Sequence, residues 1–238
     1  MSRPLLTFTG VDAKTPASFI KETARKYAKL DGYSAIEFAI LRSPKAGQSP
    51  RYPDRTAVQR ITHNVRPQYL AYHLCGGYAQ MVHEGRWGEL LDIINFDDVS
   101  RVQVNSRERD EKAMVTLQRF SMHIGKPVIM QWSGDTFPFV PRVDLLFDRS
   151  GGRGVSPDSW PEPDDLSRKA ASSIIGYAGG LGPENFREKL TQIVKASRGK
   201  RFWVDCETGI RTDDWFDPAK VQAMIDIVAV DKRVALAA

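Results

Sequence analysis

The chain has 238 residues, of which 42 % are hydrophobic and 26 % charged, and a formal net charge of +5. A chain of that size and balance suits a water-soluble barrel or α/β domain that buries roughly 70 to 75 % of its unfolded surface. No apolar run approaches the roughly 18 residues of a membrane span, residues 1–5 lack a signal-peptide core, and the basic residues are scattered, so neither membrane nor nucleic acid is an expected partner.

Taken in chain order, short apolar strands alternate with amphipathic stretches. Residues 5–9 read as a strand and 16–29 as a helix, with Phe19, Ile20, Thr23, Ala24 and Tyr27 at helical spacing. A second strand at 35–41 leads into a Pro/Ser/Gly-rich loop at 42–53 and a short helix at 56–63. Strands follow at 68–74, 101–105, 128–132, 143–147, 173–175 and 202–206, with helices at 79–95 (interrupted near Gly85 and Gly88), 110–123 and 218–228. This βα alternation over a single domain predicts an α/β fold, an eight-stranded TIM barrel. A doubly wound open sheet fits the same list. The polar residues favour the barrel, because Glu37, His73, Gln103, Asn105, Gln131, Asp148, Asp205 and Glu207 fall in or just after strands, mostly toward their carboxyl ends.

Several residues are candidates for chemistry. In Gly176-Tyr-Ala-Gly-Gly-Leu-Gly-Pro-Glu-Asn185 the strand at 173–175 runs into glycines and then a helix, with Pro183 expected in the first helical turn. Such a turn presents unpaired N–H groups to a phosphate, here from Gly179, Gly180 and Gly182, and equally serves as a plain tight connection. Asp148 ends an apolar strand ahead of a glycine loop, where partial burial would suit a proton donor; its bland role is a loop cap or a partner for Arg149 or Arg153. His73 and Cys75 are two apart and share a strand face, a pairing that can make a base or an activated thiolate, or can be ordinary filler. Glu37 lies in an apolar strand and needs a partner or a task. The two cysteines, Cys75 and Cys206, sit in no C-x-x-C or zinc spacing, so a reduced, cytoplasmic chain without metal or cofactor is expected.

Three segments carry a resemblance. Leu145-Leu-Phe-Asp148 with Ser150-Gly-Gly-Arg-Gly154, Ala178-Gly-Gly-Leu-Gly-Pro-Glu-Asn185, and Val204-Asp-Cys-Glu-Thr-Gly209 followed by Phe216-Asp-Pro-Ala-Lys220 resemble phosphoribosylanthranilate isomerase. That family is a single-domain (β/α)8 barrel performing an Amadori rearrangement. The resemblance implies Asp148 as catalytic acid and phosphate loops after strands seven and eight, the latter formed by Thr208 and Gly209. Ser49-Pro-Arg-Tyr52 resembles the family loop whose arginine holds a substrate carboxylate, which implies that role for Arg51. Gln103 and Asp205 take substrate-contacting positions.

The departures are specific. Thr9 stands where the family has its cysteine general base, and a threonine hydroxyl cannot act as that base unaided. Strand four reads Val102-Gln-Val-Asn-Ser106 in place of Val-Gln-Leu-His-Gly, the 42–48 segment is inserted, and Arg211 replaces a glutamate. The expectation is an isomerase-like enzyme for a phosphorylated sugar or phosphoribosyl-type small molecule, with Glu37 or His73 as the replacement base. A catalytically silent phosphate-ligand or scaffold protein is the alternative, and the phosphoribosylanthranilate isomerase reaction itself is the narrower reading.

Overall fold

Strands buried on both faces read as continuous apolar runs, and parallel neighbours need a crossover of a dozen or more residues between them. This sequence supplies both. The structure, a computed structural model, describes residues 4–31, 36–149, 154–170 and 173–230. Eight parallel strands close into a barrel: β1 (Leu5–Thr9), β2 (Ile36–Arg42), β3 (Leu70–Cys75), β4 (Arg101–Asn105), β5 (Val128–Trp132), β6 (Val143–Phe147), β7 (Ile175–Ala178) and β8 (Phe202–Cys206). Each strand pairs with its successor and β8 pairs with β1, so the barrel is the fold and the open sheet is excluded. Among the described residues the helices are α1 (Ala17–Asp31), α2 (Arg55–Asn64), α3 (Gly77–His83), α4 (Trp87–Ile93), α5 (Glu111–Ile124), α6 (Asp165–Lys169), α7 (Phe186–Ala196) and α8 (Pro218–Val230).

Local chemistry sets the ends of these elements. Asp54, Asp110 and Asp164 each accept an N–H from the third residue on, capping α2, α5 and α6. The expected helix at 79–95 is two helices. Arg86 N donates to Met81 O and Gly85 N to Val82 O, a Schellman closure that ends α3 before α4 begins. The third strand starts two residues later than expected, because Pro67–Tyr69 form a 3₁₀ turn.

The strand expected at 173–175 is β7 at Ile175–Ala178, so Gly176 belongs to the sheet and the glycine turn begins at Gly179. Gly176 is there for space. It lies beside Trp203 in the register, and a Cβ would sit 2.3 Å from the indole Cε2 and 2.7 Å from Leu146 Cδ1. The helix expected directly after the turn begins only at Phe186, which leaves Pro183 in the turn ahead of it.

The main core lies between strands and helices, and a smaller one inside the barrel packs Ile129, Leu146 and Trp203 together. Inside the barrel there is also a buried ion pair. Arg101 Nε lies 2.8 Å from Glu37 Oε2, its Nη2 donates to Thr7 Oγ1 at 3.0 Å, and its guanidinium lies 4.5 Å from the centre of the Trp203 ring. Residues 133–142, between β5 and β6, form no helix. Phe137 of this segment and Trp160, from beyond β6, pack on Tyr177 of β7 with ring centres 5.3 and 5.8 Å away.

Candidate active site

Side chains on a strand alternate, so residues two apart share a face. That rule places Thr9 of β1, His73 of β3, Gln103 and Asn105 of β4, Gln131 of β5, Asp148 after β6, and Asp205 and Glu207 at the end of β8 around one cleft at the carboxyl ends of the strands. The cleft is partly open to solvent, and its cavity volume is about 60 Å³.

Asp205 is its most perturbed group. Its side chain is buried, and burial pushes the carboxyl up to about 8 against the opposing effect of a Thr9 hydroxyl that donates to Oδ1 at 2.7 Å. Glu207, two residues on, is also raised by burial but held back by the guanidinium of Arg51, 2.6 Å away. His73 Nε2 is 3.9 Å from Asp205 Oδ2. Burial first, and then the charge of Arg101, lowers the imidazole to about 3, so His73 is neutral at physiological pH and this contact is no ion pair.

His73 and Cys75 share a strand face as expected, yet they do not form a base–thiol pair. The Cys75 thiol donates toward the His73 carbonyl oxygen at 3.6 Å, not toward the imidazole. Burial, aided by the charge of Glu207, pushes that thiol up to about 12, which removes the activated-thiolate reading. Asn105 Nδ2 donates to Cys75 Sγ at 3.3 Å, and Gln103 Nε2 donates to Asn105 Oδ1 at 2.7 Å.

Above these residues three loops meet. A Cβ on Gly180 would lie 2.5 Å from Gly154 O, and one on Gly209 would lie 2.2 Å from Leu181 O. Only glycine lets these backbones approach so closely. Gly179, Gly180, Leu181, Thr208 and Gly209 donate their N–H groups to no other described residue. Gly182 differs. Its N–H is donated to Asn185 Oδ1 at 3.0 Å, while Asn185 Nδ2 donates to Gly180 O, so Asn185 shapes the turn and takes up the Gly182 donor. Residues 150–153, the middle of the glycine loop expected after Asp148, lie outside the described residues.

Four expected site residues, Glu37, Arg51, Gly182 and Gly209, stand outside the cleft lining. Glu37 is held within the barrel by Arg101, Thr7 and Ser100, and so has the partner its burial requires. Arg51 reaches the rim, but its Nη1 is donated to Glu207 and its Nε to Asp214 at 2.8 Å. Arg211 is buried and donates to Gly10 O at 2.8 Å, securing the loop after β1. Among the described residues no group of three or more His, Cys, Asp or Glu side chains could hold a metal ion.

In the sequence alone Thr9 is legible as a missing cysteine and Asp205 as a substrate contact. Their hydrogen bond joins residues 196 positions apart. The legible signal was a polar residue at the end of each of two strands that a closed barrel must pair. The Asn185 contact had a local signal, an amide three residues beyond a glycine.

No model of a known protein family matches the chain, and no curated protein matches it. Solved structures do. N-(5'-phosphoribosyl)anthranilate isomerase from Pyrococcus furiosus is similar at a TM-score of 0.54 with 15 % identity, over 95 % of this chain and 98 % of that one. Phosphoribosyl anthranilate isomerase from Thermococcus kodakaraensis is similar at a TM-score of 0.52 with 15 % identity, over 96 % of this chain and 100 % of that one. Likeness at this identity establishes the fold.

Proposed function

We propose that this barrel is a proton-transfer isomerase for a phosphorylated sugar or phosphoribosyl-type small molecule, with Asp205 as its base. The observation that carries the reading is a buried carboxylate raised to about 8, hydrogen-bonded by Thr9 and facing a cleft that Asp148 also lines. A base poised near the working pH is what general-base catalysis favours. His73, lowered to about 3, is a far weaker base, and Glu37 is committed to Arg101.

In this reading the N–H groups of Gly179, Gly180, Leu181, Thr208 and Gly209, which donate to no other described residue, receive the phosphate. Asp148 gives a proton to the sugar oxygen as its bond to the anomeric carbon opens. The lone pair of the exocyclic oxygen or nitrogen forms a double bond to the anomeric carbon as the ring opens. Asp205 then takes the proton from the neighbouring carbon, the C–H electron pair becomes a carbon–carbon double bond, and the carbon–heteroatom π pair returns to the heteroatom, giving an enol or enamine. Thr9 steers the Asp205 carboxylate and takes no proton itself. The similar solved structures named above are phosphoribosylanthranilate isomerases, which supports an isomerase-like reaction class.

The test follows conversion of a panel of aldose phosphates and phosphoribosyl compounds by the wild type, Asp205→Asn and Asp148→Asn. Each substitution is expected to lower turnover by about 10²-fold or more. Unchanged turnover in Asp205→Asn defeats its role as base. Conversion of nothing, by a wild type that binds phosphate ligands, favours a silent binding protein. Loss of anthranilate-type fluorescence on adding enzyme tests the narrower reaction.

A further inference from the structure

The floor of the cleft holds two buried polar atoms with no hydrogen-bond partner among the described residues, Gln103 Oε1 and His73 Nε2. Buried polar atoms in a folded protein are nearly always paired, so two orphans lining one cleft point to a ligand that pairs them. Their chemistry is fixed by their neighbours. The Cys75 thiol donates to the His73 carbonyl, Asn105 Nδ2 to Cys75 Sγ, and Gln103 Nε2 to Asn105 Oδ1. The chain of donors runs one way and ends at Gln103, a residue lining the cleft, whose Oε1 is left as a buried acceptor without a partner among the described residues. His73, neutral in its buried setting, offers Nε2 as either donor or acceptor, depending on its tautomer.

We infer that this floor selects a ligand whose non-phosphate end carries uncharged hydroxyl groups, and that it rejects a carboxylate there. A hydroxyl donates its one proton to Gln103 Oε1 and can still accept from a protonated His73 Nε2, or, in the other tautomer, a neighbouring hydroxyl donates to Nε2. A carboxylate has no proton for Gln103 Oε1 and leaves it buried and unpaired. The surroundings agree. Asp148, Asp205 and Glu207 line the cleft, no lysine or arginine does so among the described residues, and two donors of Arg51 are already given to Asp214 and Glu207. The inference rests on the reading of this cleft as the phosphosugar site, and it assigns Gln103 and His73 the selection of the sugar end.

The test measures dissociation constants by calorimetry for ribitol 5-phosphate and 5-phosphoribonate, which share a carbon chain and phosphate and differ in one terminal group. Ribitol, ribonate and inorganic phosphate are measured beside them. Ribitol 5-phosphate is expected to bind at least about tenfold more tightly than the acid, the factor that one unpaired buried acceptor imposes. Gln103→Met, close in volume but without the acceptor, is expected to narrow that ratio several-fold and to leave inorganic phosphate binding unchanged. Equal binding of polyol and acid overturns the inference, as does a ratio unmoved in Gln103→Met. Should Gln103→Met fail to fold, the wild-type ratio decides alone. If phosphorylated and phosphate-free ligands bind equally, the phosphate reading falls while the ratio of ribitol to ribonate still judges the floor. If no polyol binds in either form, the inference falls.

Discussion

At the scale of single residues, the protein concentrates its unusual electrostatics in Asp205. A carboxyl raised to about 8 by burial holds its proton in the folded state over a range in which the unfolded chain, with an ordinary carboxyl near 4, has lost it. The folded state therefore binds more protons between those values. This contribution to stability is fully present below about pH 4 and is lost as pH rises through about 8. Asp205→Asn is expected to flatten that decline and to raise the melting temperature at pH 8.5, while turnover falls. A melting temperature that declines between pH 6 and 8.5 as steeply as in the wild type would assign the decline to other groups. The Thr9 hydrogen bond lowers the Asp205 pKa, so on the proposed function Thr9 acts as a positioning residue. Thr9→Val keeps the shape and removes the hydroxyl, so the midpoint of the pH–rate profile is expected to move upward. A profile that loses height with an unmoved midpoint would leave Thr9 a purely structural part.

Elements show how the site is supported from below. The Glu37–Arg101 pair ties β2 to β4 within the barrel, and both side chains are buried. Removing one partner strands the other charge away from water, so Glu37→Ala is expected to cost about 3–5 kcal/mol in denaturant unfolding. A loss under about 1 kcal/mol would mean that water reaches Arg101. The loop cluster makes a sharper demand. Gly180 has φ +60°, and an added Cβ would meet Gly154 O at 2.5 Å, so Gly180→Asp is expected to abolish binding of inorganic phosphate, which calorimetry reads. Five strands, at 5–9, 101–105, 128–132, 143–147 and 202–206, were legible to the residue, four as short mostly apolar runs and 101–105 as an alternation of valine with polar residues. Gly176 misled because a glycine reads locally as a turn, whereas this one clears room for an indole on the next strand. Glu37 misled for a similar reason. Its partner lies 64 residues away, and nothing local marks Arg101 as interior.

At the scale of the whole molecule, barrel closure is what makes the site. It brings β8 beside β1 and so joins Thr9 to Asp205, a contact that an open sheet with those strands apart would lack. The list of polar strand ends was legible in the sequence, and the assignment of roles among them was not, since pKa and hydrogen-bond partners arise only once the strands are paired. The most direct measurement is exchange of solvent deuterium into the carbon next to the carbonyl of a panel of aldose and ketose phosphates, followed by mass spectrometry from pH 6.5 to 9. The account predicts exchange that rises with pH to a plateau above about 8 and is lost in Asp205→Asn. Exchange that is independent of pH over this range, or that persists in Asp205→Asn, would contradict it.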